Sequence, residues 1–135
     1  MHLAESSHPI IMTMRVGAVL PVLQTASGLA FTAFLPRHFT DPFIRTALEA
    51  ADSLNLFARD LTAIERLLVQ VRKQGYAFNE GHLMPGVSAA AFPLIDRTKS
   101  LVAVLAVMGP NERINPRDGA AMIATLRKAT RSFGT

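Results

Sequence analysis

The chain contains no cysteine, and this absence excludes disulfide frameworks, thiol nucleophiles and cysteine metal sites. It also fits a cytoplasmic location, where disulfides are rare. No apolar run approaches the roughly 18 residues of a membrane span. The first residues lack the basic and apolar regions of a signal peptide. We therefore expect a cytoplasmic domain without a membrane partner.

Motifs for catalysis are also missing. The sequence has no HExxH, GxSxG, GxGxxG or Walker pattern. None of the four histidines lies three or four residues from another, and the few carboxylates fall mostly in predicted helices, which leaves no acid–base pair. Ser27 precedes a predicted helix and is interpreted as a helix cap or a pocket residue, with no base beside it. We predict no catalytic residue, no metal and no cofactor.

Negative charge is scarce, with 10 acidic against 14 basic residues and a formal net charge of +4. The basic residues are scattered, and the longest cluster, Arg127, Lys128 and Arg131, is interpreted as a solvated helix face. Such charge gives only salt-sensitive, sequence-blind attraction to DNA. We therefore expect no specific DNA binding by this chain alone.

What the chain has is apolar residues, which make up 50% of its 135 positions and suffice for the core of one domain. Apolar runs and stop signals predict a strand over residues 10–16 and a helix over 26–35, capped by Thr25 or Ser27. A second helix is predicted from Asp41 and Pro42 to about residue 51. A third is predicted to begin near Asp60 or Thr62, with capping-box spacing from Thr62 to Glu65, and to end at Gly75.

The pattern then changes to strands. We predict strands over residues 76–78, 87–95 and 101–108, with a hairpin turn over 96–99 and Pro93 at an edge or a bulge. A last helix should begin at residues 115–116 and carry Ile123, Leu126, Thr130 and Phe133 on one face. Helices grouped around an antiparallel hairpin predict an α+β fold.

Several motifs occur in an order that resembles the effector-binding domain of IclR-type transcriptional regulators. They are RVG at 15–17, LP at 20–21, TASG at 25–28, AFLP at 33–36, RKQGYA at 72–77, PGV at 85–87, AAAFPLID at 89–96 and GP at 109–110. The resemblance covers about residues 8–133. It implies a GAF-like antiparallel sheet with helices packed on it, spanning residues 1–135 as one effector-binding domain. The helix-turn-helix DNA-binding domain of such regulators, and the first strands of the usual sensing domain, have no counterpart in the sequence.

The resemblance also implies a ligand pocket on one face of the sheet. By matching motif positions it would be lined by Met12, Leu20, Ala26, Ser27, Asn79, Val87, Ala89, Ala106 and Met108. Ala26 and Ser27 begin a helix, whose free N–H groups favour an anion. Alanine and methionine on the wall suit a carboxylate with an apolar body, such as an aromatic acid, better than a small polar acid. For any one of these methionines, ordinary core packing is the alternative.

Two hypotheses about function remain. In the first, the domain senses a small carboxylate and controls DNA binding or promoter activation by a longer protein, which reaches DNA only through its helix-turn-helix domain. In the second, the chain is a small standalone α+β enzyme or metabolite-binding protein. Because its sheet would have an uncovered edge, we also expect self-association as a homodimer or homotetramer.

Overall fold

The computed structural model describes residues 23–49, 60–80, 85–114 and 120–131. Within these ranges the chain forms helices and strands in the order ααα-βββ-α, which agrees with the predicted α+β class. The elements are α1 (Ala26–Phe34), α2 (Arg37–Glu49), α3 (Leu61–Gln74), β1 (Ala77–Glu80), β2 (Val87–Ile95), β3 (Leu101–Pro110) and α4 (Ala120–Arg131). The predicted strand at 10–16, the predicted start of the last helix at 115–116, and Phe133 lie outside the described residues.

Capping side chains fix the beginnings of two helices. The Gly28 N–H donates to the Thr25 hydroxyl over 3.0 Å, so Thr25 and not Ser27 is the cap of α1. The Ala63 N–H donates to the Asp60 carboxylate over 2.8 Å, which makes Asp60 the cap of α3. The alternative start at Thr62 is therefore wrong.

The end of α3 lies at Gly75, as predicted. Gly75 has a φ of +88° and donates its N–H to the Val71 carbonyl over 2.8 Å. Glycine adopts this left-handed conformation without steric cost, which makes it the common C-terminal residue. The turn that follows leads the chain from α3 into β1.

The predicted start of α2 is wrong, because the helix begins at Arg37 and contains Pro42 inside it. Pro36 precedes the helix, and Arg37 forms an ion pair with Asp41 one turn later, over 2.6 Å. This ion pair favours a helix that starts five residues before Pro42, the predicted first helical residue. Proline has no N–H, so the carbonyl four residues before Pro42 lacks its helical hydrogen bond. Because Pro42 is exposed, water can reach that carbonyl.

The three strands form an antiparallel sheet in the order β1-β2-β3, with the predicted turn at 96–99 between β2 and β3. Pro93 lies in β2, the central strand of the described sheet, but in the part of β2 that only β3 pairs with. Proline is tolerated there because β1 pairs with β2 only from Ser88 to Ala91, two residues short of Pro93. A register shift, the predicted bulge, follows between Leu94 and Ile95.

Helices cover both faces of the sheet. On one face, α1 packs against the sheet and α3 packs against α1. Together they form the larger core, in which Ala30, Leu68, Ala77 and Ala91 are almost completely buried. On the other face, Ile123 of α4 packs with Tyr76, Ala90 and Phe92. The Tyr76 and Phe92 rings stack with centroids 5.0 Å apart. In the described part of the chain, no helix is long and apolar enough to cross a membrane.

Candidate functional site

One row of paired residues crosses all three strands below the start of α1. Asn79 of β1 pairs with Ala89 of β2, which pairs with Met108 of β3. Directly paired residues of antiparallel strands project to the same face. The neighbouring row, Ala77–Ala91–Ala106, faces the same way. Small side chains therefore dominate this face, and Asn79 is the polar member of its row.

Asn79 connects this row to the turn that precedes α1. Its side chain is almost completely buried, at 5% exposure, and its Nδ2 donates to the Gln24 carbonyl over 3.3 Å. A buried amide without hydrogen bonds is costly, so this bond favours a fixed position of the turn relative to β1. The bond joins residues 55 positions apart in the sequence.

The N-terminus of α1 lies in the same core. Ala26, the first helical residue, belongs to the buried cluster that contains Ala89, and Met108 packs against that cluster. Ser27 is half-buried. The first turn of α1 contains no acidic residue, so no carboxylate of that turn offsets the partial positive charge of the helix N-terminus.

Coverage of this face decreases toward β3. Ala89 is 8% exposed, Val87 and Met108 are half-buried, and Ala106 is exposed. The side chain of Ala106 thus borders the place where the face opens to solvent. A molecule entering there would meet apolar side chains of the sheet first and the start of α1 beyond them.

The structure thus brings together most of the residues that the sequence analysis selected for a pocket. Asn79, Val87, Ala89, Ala106 and Met108 share one sheet face, with Ala26 packed above it, and Ser27 follows in the same helical turn. Met12 and Leu20 lie outside the described residues. The sequence analysis missed Gln24, which takes part through its backbone carbonyl and so gives no side-chain signal, and assigned Thr25 only a capping role.

The polar side chains of this arrangement, Ser27 and Asn79, are not titratable and therefore supply no general acid or base. The groups whose pKa is shifted lie elsewhere: the hydrogen bond to Asp41 raises the pKa of Arg37 in α2, and the Thr98 hydroxyl lowers the pKa of Asp96 in the hairpin turn. No three acidic or histidine side chains in the described ranges are grouped to hold a metal.

The chain is thus an α+β domain whose sheet is covered by helices on both sides. The sheet face of Asn79, Ala89 and Met108 carries no acid–base groups. Residues 1–134 match the family described as "Bacterial transcriptional regulator IclR C-terminal". The chain therefore belongs to the IclR family and corresponds to its C-terminal domain, as the resemblance predicted.

Known relatives agree with this assignment. The chain is 34% identical over 110 residues to the glycerol operon regulatory protein of Streptomyces griseus, covering 79% of this chain and 41% of that protein. It is 28% identical over 135 residues to the transcriptional regulator KdgR of Escherichia coli, covering 98% and 50%. The crystal structure of Pseudomonas aeruginosa HmgR matches with a TM-score of 0.74 and 32% identity, over 94% of this chain and 51% of that one.

The chain spans about half the length of these relatives. The curated relatives are transcriptional regulators and not enzymes. The prediction of a non-enzymatic protein is thereby confirmed, and the alternative of a standalone enzyme is not supported.

Proposed function

We propose that this chain is the GAF-like effector-binding domain of an IclR-type regulator, and that it binds a small carboxylate with an apolar body, such as an aromatic acid. The ligand lies between the first turn of α1 and the sheet face of Asn79, Ala89 and Met108. Its binding shifts the equilibrium between two arrangements of the full-length protein that hold DNA differently. The full-length protein would act in the cytoplasm.

The observation that carries this proposal is the bond from Asn79 to the Gln24 carbonyl. It holds a polar group and a helix N-terminus at the inner end of an otherwise apolar face. A carboxylate at that end would accept hydrogen bonds from the N–H groups of the first turn, which contains Ala26 and Ser27. The body of the ligand would rest on Val87, Ala89 and Met108.

The chemistry of the wall favours an apolar body. Alanine and methionine offer no strong hydrogen-bond partner, so a small acid with several polar groups would bury them unsatisfied. Ala106 leaves room for a ring at the open end. Because one relative is named for a glycerol operon, glycerol is a useful neutral comparison that lacks both the charge and the apolar body.

The test is thermal unfolding of the 135-residue chain with benzoate, phenylacetate, glyoxylate, pyruvate and glycerol. An aromatic carboxylate at a hundredfold excess over its Kd should stabilise the fold by about 2.7 kcal/mol. Stabilisation by glyoxylate or pyruvate alone would contradict the proposed ligand class, and stabilisation by glycerol alone would contradict the carboxylate.

A pair of variants tests the position of the site. Ala106→Phe places a ring at the open end of the face, and because Ala106 is exposed the fold should tolerate it. Leu105→Phe is the control, since the neighbouring residue in β3 faces the opposite side of the sheet. We expect Ala106→Phe to abolish the stabilisation by the aromatic acid and Leu105→Phe to retain it. Equal binding by both variants would show that the ligand lies elsewhere.

A further inference from the structure

Helix α1 is held near both ends by side chains from one short segment of the chain. At its start, the Asn79 Nδ2 donates to the Gln24 carbonyl over 3.3 Å. At its end, the Arg72 Nε donates to the Ala33 carbonyl over 2.7 Å. Arg72 and Asn79 lie on either side of the turn at Gly75, so the segment that joins α3 to β1 contacts both ends of the helix.

The sequence around Pro36 explains why the Ala33 carbonyl takes a donor from another helix. In a continuous helix this carbonyl would accept the N–H of Arg37, four residues later. Proline restricts the residue before it to extended backbone, and Leu35 has a ψ of 154°, so α1 ends there. Ala33 is only 3% exposed, and a buried carbonyl without a hydrogen bond is costly. The Arg72 guanidinium supplies the bond that the break removes.

Arg72 also supplies a charge that α1 lacks. The helix has no basic residue in its last turn and no acidic residue in its first. A positive charge is favourable at the C-terminus of a helix and a negative charge at its N-terminus. Arg72 thus complements the C-terminal end of α1, and the carboxylate of the proposed ligand would complement the N-terminal end.

The length of α1 distinguishes an electrostatic role of Arg72 from a positional one. The helix has nine residues, which at about 1.5 Å per residue span about 13 Å. Charges are largely screened beyond about 8 Å at physiological ionic strength, so Arg72 adds little attraction for an anion at the far end. A short helix moves as one body, however, and one that is released at its C-terminal end is free to tilt at its N-terminal end.

We propose that Arg72 is a positioning residue for the candidate site. By holding the C-terminal end of α1, it keeps the N–H groups of the first turn in place above the sheet face of Asn79, Ala89 and Met108. The inference rests on the proposed function for what the site binds. The hold on α1 itself is measurable without any ligand.

Hydrogen exchange of the ligand-free 135-residue chain measures this hold. Arg72→Met removes the donor and keeps an apolar stem, and Lys73→Met is the matched control, because Lys73 is exposed in the same last turn of α3. We expect Arg72→Met to speed exchange of the Leu29 and Leu35 amides, which bond within α1, about tenfold relative to the amides of β2. Lys73→Met should leave this ratio unchanged. Equal acceleration in α1 and β2 would indicate a general loss of stability and would overturn the proposal.

A conservative variant provides a second comparison. Arg72→Lys keeps the charge and a flexible donor but lacks the planar guanidinium, so its effect on α1 exchange should be smaller than that of Arg72→Met. It also decides the question if Arg72→Met does not fold. Exchange of α1 at the wild-type rate in both variants would overturn the proposal.

Binding of phenylacetate, followed by thermal unfolding, tests the consequence for the site. We expect Arg72→Met to raise the Kd about threefold or more, which corresponds to α1 lying in the binding position about a third of the time. Lys73→Met should retain the wild-type Kd, whereas an effect of charge alone would be about equal in both variants. A wild-type Kd in Arg72→Met would overturn the positioning role while the proposed function stands. If the wild-type chain binds no aromatic carboxylate, the proposed function fails, and hydrogen exchange alone decides whether Arg72 positions α1.

Discussion

Asn79 offers the sharpest test of how the start of α1 is held on the sheet. Replacing it with alanine removes the donor to the Gln24 carbonyl and leaves an acceptor in a buried place without that bond. The penalty for a buried unsatisfied group is about 1–3 kcal/mol. The control is Glu80→Ala, which changes the next residue of β1, where the side chain is exposed.

The expected change in melting temperature follows from the size of the chain. Unfolding entropy is about 2.1 cal/mol/K per residue, which for 135 residues gives about 0.28 kcal/mol/K. A loss of about 2 kcal/mol should therefore lower the Tm by about 7 °C. Glu80→Ala should change it by less than about 2 °C, because substitutions of exposed residues are usually within about 0.5 kcal/mol of neutral.

Asn79→Asp adds a dependence on pH. An aspartate there can donate to the Gln24 carbonyl only when protonated, and burial disfavours its charged form, so the pKa of the new carboxyl rises in the folded state. The protonated residue contributes its stability fully below the unfolded pKa of about 3.9, and that stability is lost as pH rises through the raised folded pKa. Relative to wild type, the variant should be destabilised most at pH 7. The role of this bond would be refuted if the Tm difference between Asn79→Asp and wild type did not change between pH 4 and pH 7. It would also be refuted if Asn79→Ala had the same Tm as wild type.

Three further predictions concern the rest of the chain. Gly75→Ala should destabilise by about 1–2 kcal/mol, because φ is +88° while nothing lies within 4 Å of an added Cβ; Gly75→Asn should cost less in the same denaturant titration, and equal costs would contradict a backbone cause. The pKa of Asp96 is lowered by the Thr98 hydroxyl and the Ser100 N–H. The contribution of this turn to folding stability should therefore be present above the ordinary aspartate pKa and be lost as pH falls through the lowered value. NMR titration of the Thr98 and Ser100 amides should show a midpoint below about 3.9. Fluorescence anisotropy should show only sequence-blind DNA binding by this chain that disappears at physiological salt, and a salt-resistant, sequence-dependent complex would contradict it.

Local signals in the sequence predicted those elements whose cause is local. Alternating and continuous apolar runs on either side of the turn at 96–99 predicted β2 with its observed bounds and β3 to within two residues. Gly75 marked the end of α3 because its left-handed conformation is a property of one residue. Once the resemblance had placed the pocket residues along the chain, the two-residue period of strands predicted that those on strands share one face of the sheet.

Contacts between distant residues could not be predicted in the same way. The bond from Asn79 to Gln24 uses a backbone carbonyl, which every residue has, so nothing in the sequence distinguishes residue 24. Pro42 was taken as the start of α2 because proline favours that position, although its exposure lets the helix continue through it. The cost of an interior proline depends on whether its unpaired carbonyl reaches water, and that is decided by packing.

The outer face of α2 illustrates the same limit from the apolar side. In a helix with phenylalanine at 39 and 43 and isoleucine at 44, the pattern alone does not say which side is buried, because both offer apolar surface. The structure buries Ile44 and leaves both rings exposed. The smaller side chain is in the core, where Ile44 belongs to the buried cluster that contains Ile64 and Leu68 of α3. Which side of α2 is buried thus depends on packing with residues distant in sequence, which the pattern of α2 alone does not show.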